Sequence, residues 1–534
     1  MNKLKAREKV EDQVLSKIIL YSWLILISAS FYQLIAYTDI ANSVGVMCVA
    51  VAWGMITKIY LKANTFKNYP LSSLVIVGFS STQFYFPLLF TSLEGKPITN
   101  NLDLPNQVFL HLIAELIILV LSNYLYRCVF NKSNNYKFSF LVKTGLFSPP
   151  TTLQLWLIGG MGTFASIYVY IISPSISSGV TGLAFDKFIQ GFVPFSYAPF
   201  FIPFSKLFGD NRKPPKFITK LFCYTIILFL ISMGRNSRGA FMLGFTSVIF
   251  SYGIGLIYGF FKFRVFTLKG FSIACVCIWL IISPLADLGT AMVNVRNERN
   301  NISPVELIVR TIEAYSDKEA IHDRRENDEV SDDDWDERYL SNIYTARFAN
   351  LKYVDNSLIM AQTIGEKSSQ ILKFSIDYIF ATLPQPLLNL FEIKIDKKML
   401  KGSSFGDYMY YTSGAPSEVL EGYRTGNFAG TGIAAFGWWY LLILGIGIFP
   451  IYILFDMFFI AQDISNSSSK ACFSLCGLLG LDFIFRFLPV ESVVMTATFL
   501  LRDWIQMVIL YLLIFHLSKL LSQFISALSK QIKY

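Results

Sequence analysis

Two arginines share one short turn, Gly234-Arg235-Asn236-Ser237-Arg238-Gly239, between two long apolar runs. A guanidinium is a planar fork of donors that matches phosphate oxygens in pairs and keeps its charge at any physiological pH. Arg235 and Arg238 therefore read as a clamp for a phosphate-bearing ligand at a membrane surface. The competing reading is that they snorkel to lipid headgroups, as long basic side chains do. Two arginines in a single tight turn favour the clamp. Asp407, Tyr423 and Arg424 fall in two Gly-rich stretches, 402–407 and 422–430. Glycine lets backbone approach a ligand closely, and tyrosine offers a sugar-stacking face with a polar tip. The same composition also fits a plain connector into the bilayer. Arg296 and Arg299, in Asn294-Val295-Arg296-Asn297-Glu298-Arg299, form a third basic cluster or simply a helix end.

Ionisable residues inside apolar runs are functional suspects. His111 and Glu115 are four residues apart and share one helix face, types and spacing that serve a proton relay or general base. Asp482 and Arg486 repeat the spacing and read as a self-neutralising pair, with Arg502 and Asp503 at the edge of the last run. Six of the seven cysteines lie inside apolar runs and Cys128 borders one, so neither a disulfide framework nor a Cys-x-x-Cys metal site is expected. Walker A and HExxH patterns are absent.

Those residues must be positioned by membrane-spanning elements. The 534-residue chain is 53% hydrophobic and only 16% charged, against about 25% charged residues in soluble domains. Crossing about 30 Å of hydrocarbon takes about 20 apolar residues. Candidate spans are 17–36, 40–61, 71–91, 107–127, 152–173, 188–207, 217–234, 239–261, 265–286, 432–459, 471–489 and 503–520. The first reads as an uncleaved anchor, being too long and lacking a clear cleavage site for a signal peptide. Pro194, Pro199 and Pro203 mark the sixth as a re-entrant or broken helix. Lys and Arg concentrate in alternate loops, which the positive-inside rule makes cytoplasmic together with both termini. The net charge of +9 is thus membrane topology, and nucleic acid is not an expected partner.

The large break, 287–431, holds 16 basic and 23 acidic residues, a net of −7, while the remainder carries +16. Topology places this insert on the outer face, and its length demands structure of its own. Ser303-Pro304-Val305-Glu306 is a capping box opening a helix. Leu340, Ile343, Tyr344, Phe348, Leu351 and Val354 form a second helical stripe. The acidic run Asp323 to Glu337, which follows His322, reads as a solvated loop and lacks EF-hand spacing. Three divisions result: 1–286 with nine spans, the loop domain 287–431, and 432–534 with three spans. The fold class expected is an all-α polytopic membrane protein of about 12 transmembrane helices with a large helical periplasmic loop.

The layout resembles the bacterial O-antigen and capsule repeat-unit polymerases, the Wzy-type family. The resemblance rests on about a dozen spans and on Asn236-Ser237-Arg238-Gly239-Ala240 opening a span. It rests also on the large late loop and the approach Gly426-Asn427-Phe428-Ala429-Gly430-Thr431-Gly432-Ile433-Ala434-Ala435-Phe436-Gly437. It implies a GT-C-like, metal-independent glycosyltransferase of the inner membrane that needs no cofactor. Such an enzyme joins undecaprenyl-pyrophosphate-linked oligosaccharides at the periplasmic face, and its protein partners would be a chain-length regulator and a flippase. Arg238 and Arg235 would stabilise the leaving pyrophosphate. Arg424, Arg296, Arg299, Tyr423 and Asp407 would contact substrate. Ala434 and Ala435 stand where relatives often carry an acidic residue, so the resemblance supplies no general base. Two other classes stay open. An O-antigen ligase shares the architecture with a different acceptor. A lipid-linked oligosaccharide flippase would use His111 and Glu115 for coupling, although a transporter would show repeat symmetry, which the sequence lacks.

Overall fold

The computed structural model describes the chain apart from residues 1, 131–138, 173–183, 211, 213–215, 235, 237, 262–269, 271, 273–275, 277–278, 281–282, 297, 299–301, 327–334, 463–469, 489–490 and 532–534. Among the described residues, seven helices are long and apolar enough to cross a bilayer. They are Val14–Ala36, Ile40–Ile59, Pro70–Leu93, Pro105–Val129, Thr152–Ile172, Phe428–Asp456 and Met495–Leu528. Ile218–Gly234 and Gly244–Ile257 are shorter apolar helices.

Two of the twelve expected spans take other forms. The sixth is a buried 3-10 segment, Val193–Phe208, because Pro194, Pro199 and Pro203 cannot donate the amide bonds of an α-helix. The eleventh is no continuous helix. Its first residues belong to the strand Lys470–Phe473, which pairs with Phe459–Gln462, and the short helices Leu475–Leu479 and Leu481–Phe485 follow. That hairpin also shortens the tenth span at its far end. Most of the ninth, 265–286, lies outside the described residues.

Apolar burial does not drive helix association in lipid, so close packing must. Gly162 brings the Thr152–Ile167 helix so near the 3-10 segment that a Cβ there would lie 2.2 Å from the Ser196 nitrogen. Gly430 does the same for the Phe428–Phe436 helix, where a Cβ would fall 2.2 Å from the Ser357 carbonyl.

The connections gather on two faces. On one, the loop after Pro70–Leu93 is zipped to the insert: Glu94 accepts from the amides of Ser341 and Asn342 at 2.7 and 2.9 Å. The Tyr339 hydroxyl donates to the Ile98 carbonyl at 2.7 Å. Pro304 and Ile308 pack over Gly234 on the same face. On the opposite face, Asp456 accepts from the Leu71 and Ser72 amides at 3.0 and 3.1 Å and from the Tyr126 hydroxyl at 3.0 Å. The Tyr258 hydroxyl there donates to the Phe66 carbonyl at 3.1 Å, and its ring packs on the hairpin residues Phe459 and Phe473. This two-sided sorting follows the alternation of charged loops in the sequence.

Within the insert, Ser303 caps Pro304–Ser316 as its motif demands, its Oγ accepting from the Glu306 amide at 3.2 Å. The second stripe is not one helix. Only a 3-10 turn, Thr345–Arg347, and the start of Lys352–Ile364 are helical within it. Leu340, Tyr344, Leu351 and Val354 are buried nevertheless. The acidic run also ends differently from a solvated loop: Trp335 is buried, and Asp336 accepts from Asn101 at 2.8 Å and from Arg338 at 2.9 Å. Its middle, 327–334, lies outside the described residues, and His322 is exposed on Lys318–Glu326.

Candidate functional site

A buried clamp fixes the insert above the spans. Lys352 lies between Asp103, at 2.6 Å, and Asp355, at 2.8 Å. Burial works against its charge, but the two carboxylates outweigh it and hold the ammonium above its ordinary value. Asp355 also accepts from the amides of Asp103 and Leu104 at 3.0 and 2.8 Å, at the start of the Pro105–Val129 helix.

Three guanidinium groups from distant parts of the chain lie within electrostatic reach: Arg347 feels both Arg486 and Arg296. Arg486 is paired with Asp482, Nη2 to Oδ2 at 2.6 Å, and stands 5.5 Å from the Phe348 ring centre. Asp482 is fixed in turn by its own amide, which donates to Ser247 Oγ at 2.9 Å. The Arg347 side chain makes no ion pair among the described residues. Burial and the like charges of Arg486 and Arg296 push it below its ordinary value, against the pull of Tyr353 and Tyr344. A guanidinium destabilised by its own neighbours is a group an anion would relieve.

Tyr353 connects this cationic half to an acidic one. Burial, then Glu337, raises its pKa, against Arg347, Thr425 and Asn350. Glu337 Oε1 accepts from Trp335 Nε1 at 3.0 Å and from the Thr425 amide at 2.8 Å. Asp407, wholly buried, closes a capping box with Ser404 and accepts from the Tyr423 and Arg424 amides at 2.9 and 3.0 Å. Those bonds hold Tyr423 at φ 56°, a left-handed conformation costly for a residue with a side chain. Glu491 Oε2 accepts from the Phe405 amide at 2.9 Å. Burial, helped by the Asp407 and Glu337 carboxylates, pushes Glu491 up to about 7 against that bond. A carboxyl group poised there can take or give a proton near neutrality.

The expected site residues divide accordingly. Asp407, Tyr423 and Arg424 do come together. The Arg424 guanidinium, however, is engaged by Asp407 at 3.5 Å, by the Val419 carbonyl at 3.1 Å and by the Tyr410 ring at 4.9 Å. That makes it a brace of the loop, while Tyr423 remains 58% exposed. Arg296 joins Arg347 and Arg486 rather than Arg424. Arg235 and Arg299 lie outside the described residues, and of Arg238 the structure gives only the backbone, which opens the helix Arg238–Ile257.

His111 and Glu115 form a separate chain at membrane depth. His111 Nδ1 is 2.8 Å from the Tyr440 hydroxyl, which donates to Glu115 Oε1 at 3.1 Å. Trp438 stacks on His111 at 4.6 Å, placed by the break Gly437–Trp439 between two helices. A cleft of about 500 Å³ lies against this face, lined by Gln107, His111, Gln362, Glu366 and Trp438 among others.

Arg347, Glu337, Tyr353 and Glu491 are the functional candidates the sequence did not flag. Glu491 carried a usable signal, being an ionisable residue at the edge of an apolar run, like Arg502. Arg347, in a stretch of ordinary composition, carried none. Among the described residues no group of three or more His, Cys, Asp or Glu side chains is disposed to hold a metal ion. No family model, no curated protein and no solved structure matches this chain.

Proposed function

We propose that this chain is an integral-membrane glycosyltransferase of the inner membrane that polymerises lipid-linked oligosaccharide repeat units on the face bearing the insert, with both termini in the cytoplasm. One observation carries the reading: Arg347 lies within electrostatic reach of Arg486 and Arg296, and Tyr353 links it to Glu337, one of the carboxylates that push the buried Glu491 up to about 7. In the reaction the acceptor hydroxyl oxygen bonds to the anomeric carbon of the donor sugar. The bond from that carbon to the phosphate oxygen breaks, and its electron pair departs with the lipid pyrophosphate. Arg347, Arg486 and Arg296 meet the charge that grows on the leaving group. Glu491 accepts the proton lost by the hydroxyl. Tyr423 offers a face for sugar stacking, and Asp407 and Arg424 hold the loop that presents it.

Purified protein mixed with lipid-linked repeat units should give a ladder of products. Arg347→Ala should lower the rate by on the order of 10²–10³-fold, the usual loss when a donor to developing charge is removed. A full ladder from Arg347→Ala at unchanged protein level would overturn the assignment. The His111–Tyr440–Glu115 chain favours a second reading, translocation of the same lipid coupled to proton movement. Movement of labelled lipid across vesicles with no ladder would select it. Transfer of the oligosaccharide only to lipid A core would instead identify a ligase.

A further inference from the structure

The cleft beside His111 takes no part in the proposed reaction, and its chemistry is unlike that of the arginines. Its volume of about 500 Å³ is that of a small-molecule site, roughly 300–1,000 Å³. It also lies elsewhere. Gln362 stands nine residues beyond Tyr353 on the helix Lys352–Ile364, about 13 Å along its axis.

The wall is built in advance of any ligand. After Lys352–Ile364 the chain folds onto the end of Phe428–Phe436, where the Lys367 and Ser368 amides donate to the Ile433 and Ala434 carbonyls at 3.4 and 2.7 Å. Those bonds hold Lys367 at φ 60°, a left-handed conformation of the strained kind that collects at ligand sites. Gly437 faces this loop at φ 59°, and a Cβ there would fall 3.4 Å from Glu366 Oε2. The close approach brings Glu366 and the neighbouring Trp438 into one wall. His111 supports one face of Trp438, yet 48% of the Trp438 surface stays open. Tyr440 occupies His111 Nδ1 at 2.8 Å, which leaves Nε2 for the cleft.

The polar groups define what fits. Gln362 Nε2 donates to Gln107 Oε1 at 2.9 Å. Among the described residues neither carboxamide has another partner. The pair therefore presents one free amide nitrogen and one free carbonyl oxygen side by side, whichever way round the two are turned. Two adjacent hydroxyls, one accepting and one donating, complement that arrangement. No Lys or Arg lines the cleft, and Glu366 is its one carboxylate, so an anion would meet only like charge. The remaining lining is aliphatic or glycine. A fitting ligand has an apolar face for Trp438 and a rim of neutral groups that both donate and accept. A pyranose ring has both: C–H bonds on its face and hydroxyls around its edge.

We propose that this cleft binds an uncharged sugar ring, stacked on Trp438 and held through a vicinal diol by Gln107 and Gln362, with Glu366 and His111 Nε2 taking further hydroxyls. The binding does not depend on glycosyl transfer.

The test is an array of neutral oligosaccharides and of oligosaccharides carrying uronic or sialic acid, probed with full-length protein in nanodiscs of zwitterionic phospholipid. Hits should be confined to neutral glycans and vanish after periodate, which cleaves vicinal diols. Gln362→Leu, at an exposed position that the fold does not need, should weaken the strongest hit by about tenfold, the weight of one or two hydrogen bonds. Trp438→Ala should abolish it and Trp438→Phe should keep it. The proposal is overturned if no neutral glycan binds, if acidic glycans bind as well as neutral ones, or if the hits survive periodate. It is equally overturned if Gln362→Leu leaves the strongest hit unchanged, since the sugar then sits elsewhere. Neutral-glycan hits that follow the variants, in a protein yielding no product ladder, would reject glycosyl transfer and keep the cleft. A ladder from a protein without such hits would do the reverse.

Discussion

Glu491 shows how one side chain ties stability to chemistry. Its pKa of about 7 in the fold, against the usual 4.5, arises first from burial and then from Asp407 and Glu337. Between these values the folded chain keeps a proton that the unfolded chain has lost. Stability therefore falls as pH rises from 4.5 to 7, and above 7 the full penalty of a buried carboxylate applies, on the order of 3 kcal/mol. Glu491→Gln removes that penalty, so its thermal midpoint should exceed wild type above pH 7 and lose its advantage near pH 4.5. In the proposed glycosyl transfer the dependence runs the other way, because a proton acceptor must be ionised. Polymerising activity should rise through pH 7 in wild type, and the Gln variant should lose that limb together with most of its rate. A stabilised variant with an unchanged pH profile would leave Glu491 as a structural acid only.

At the scale of elements, what was legible was local. The helix Pro304–Ser316 follows from Ser303, Pro304 and Glu306 within one turn, and the broken sixth span follows from three prolines. The stripe from Leu340 to Val354 misled because its apolar residues are buried by a partner 241 positions away, through Tyr339 and Ile98, not by a helix of their own. The Lys352 clamp was hidden for the same reason, since Asp103 reaches it across 249 positions. Its weight is measurable. Lys352→Ala would leave Asp355, wholly buried, with only amide donors to offset its charge. Breaking a buried pair in this way costs about 3–5 kcal/mol. The variant should unfold at lower temperature in detergent, and limited proteolysis should cut the insert well before the spans. Cleavage as slow as in wild type would show that the Glu94 and Tyr339 contacts suffice to dock it.

At the scale of the whole molecule, hydropathy and loop charge set out the architecture but not the site. Alternate loops rich in Lys and Arg foretold two faces, and the hydrogen bonds of Asp456 and Tyr258 on one and of Glu94 and Asp355 on the other place the loops accordingly. Arg296, Arg347 and Arg486 were beyond reach because no pattern within a window joins residues separated by 190 positions. The net −7 of the insert concealed Arg296 and Arg347 further. Which face is cytoplasmic follows from the positive-inside rule alone, and it decides whether a lipid diphosphate meets these arginines outside the cell. In a cysteine-less background, Asn101→Cys and Glu418→Cys should react in intact cells with an impermeant maleimide. Lys62→Cys and Arg212→Cys, both exposed on the opposite face, should react only after permeabilisation. If Lys62→Cys and Arg212→Cys react first, the molecule is inverted, and every substrate for the arginine site must be sought on the cytoplasmic side.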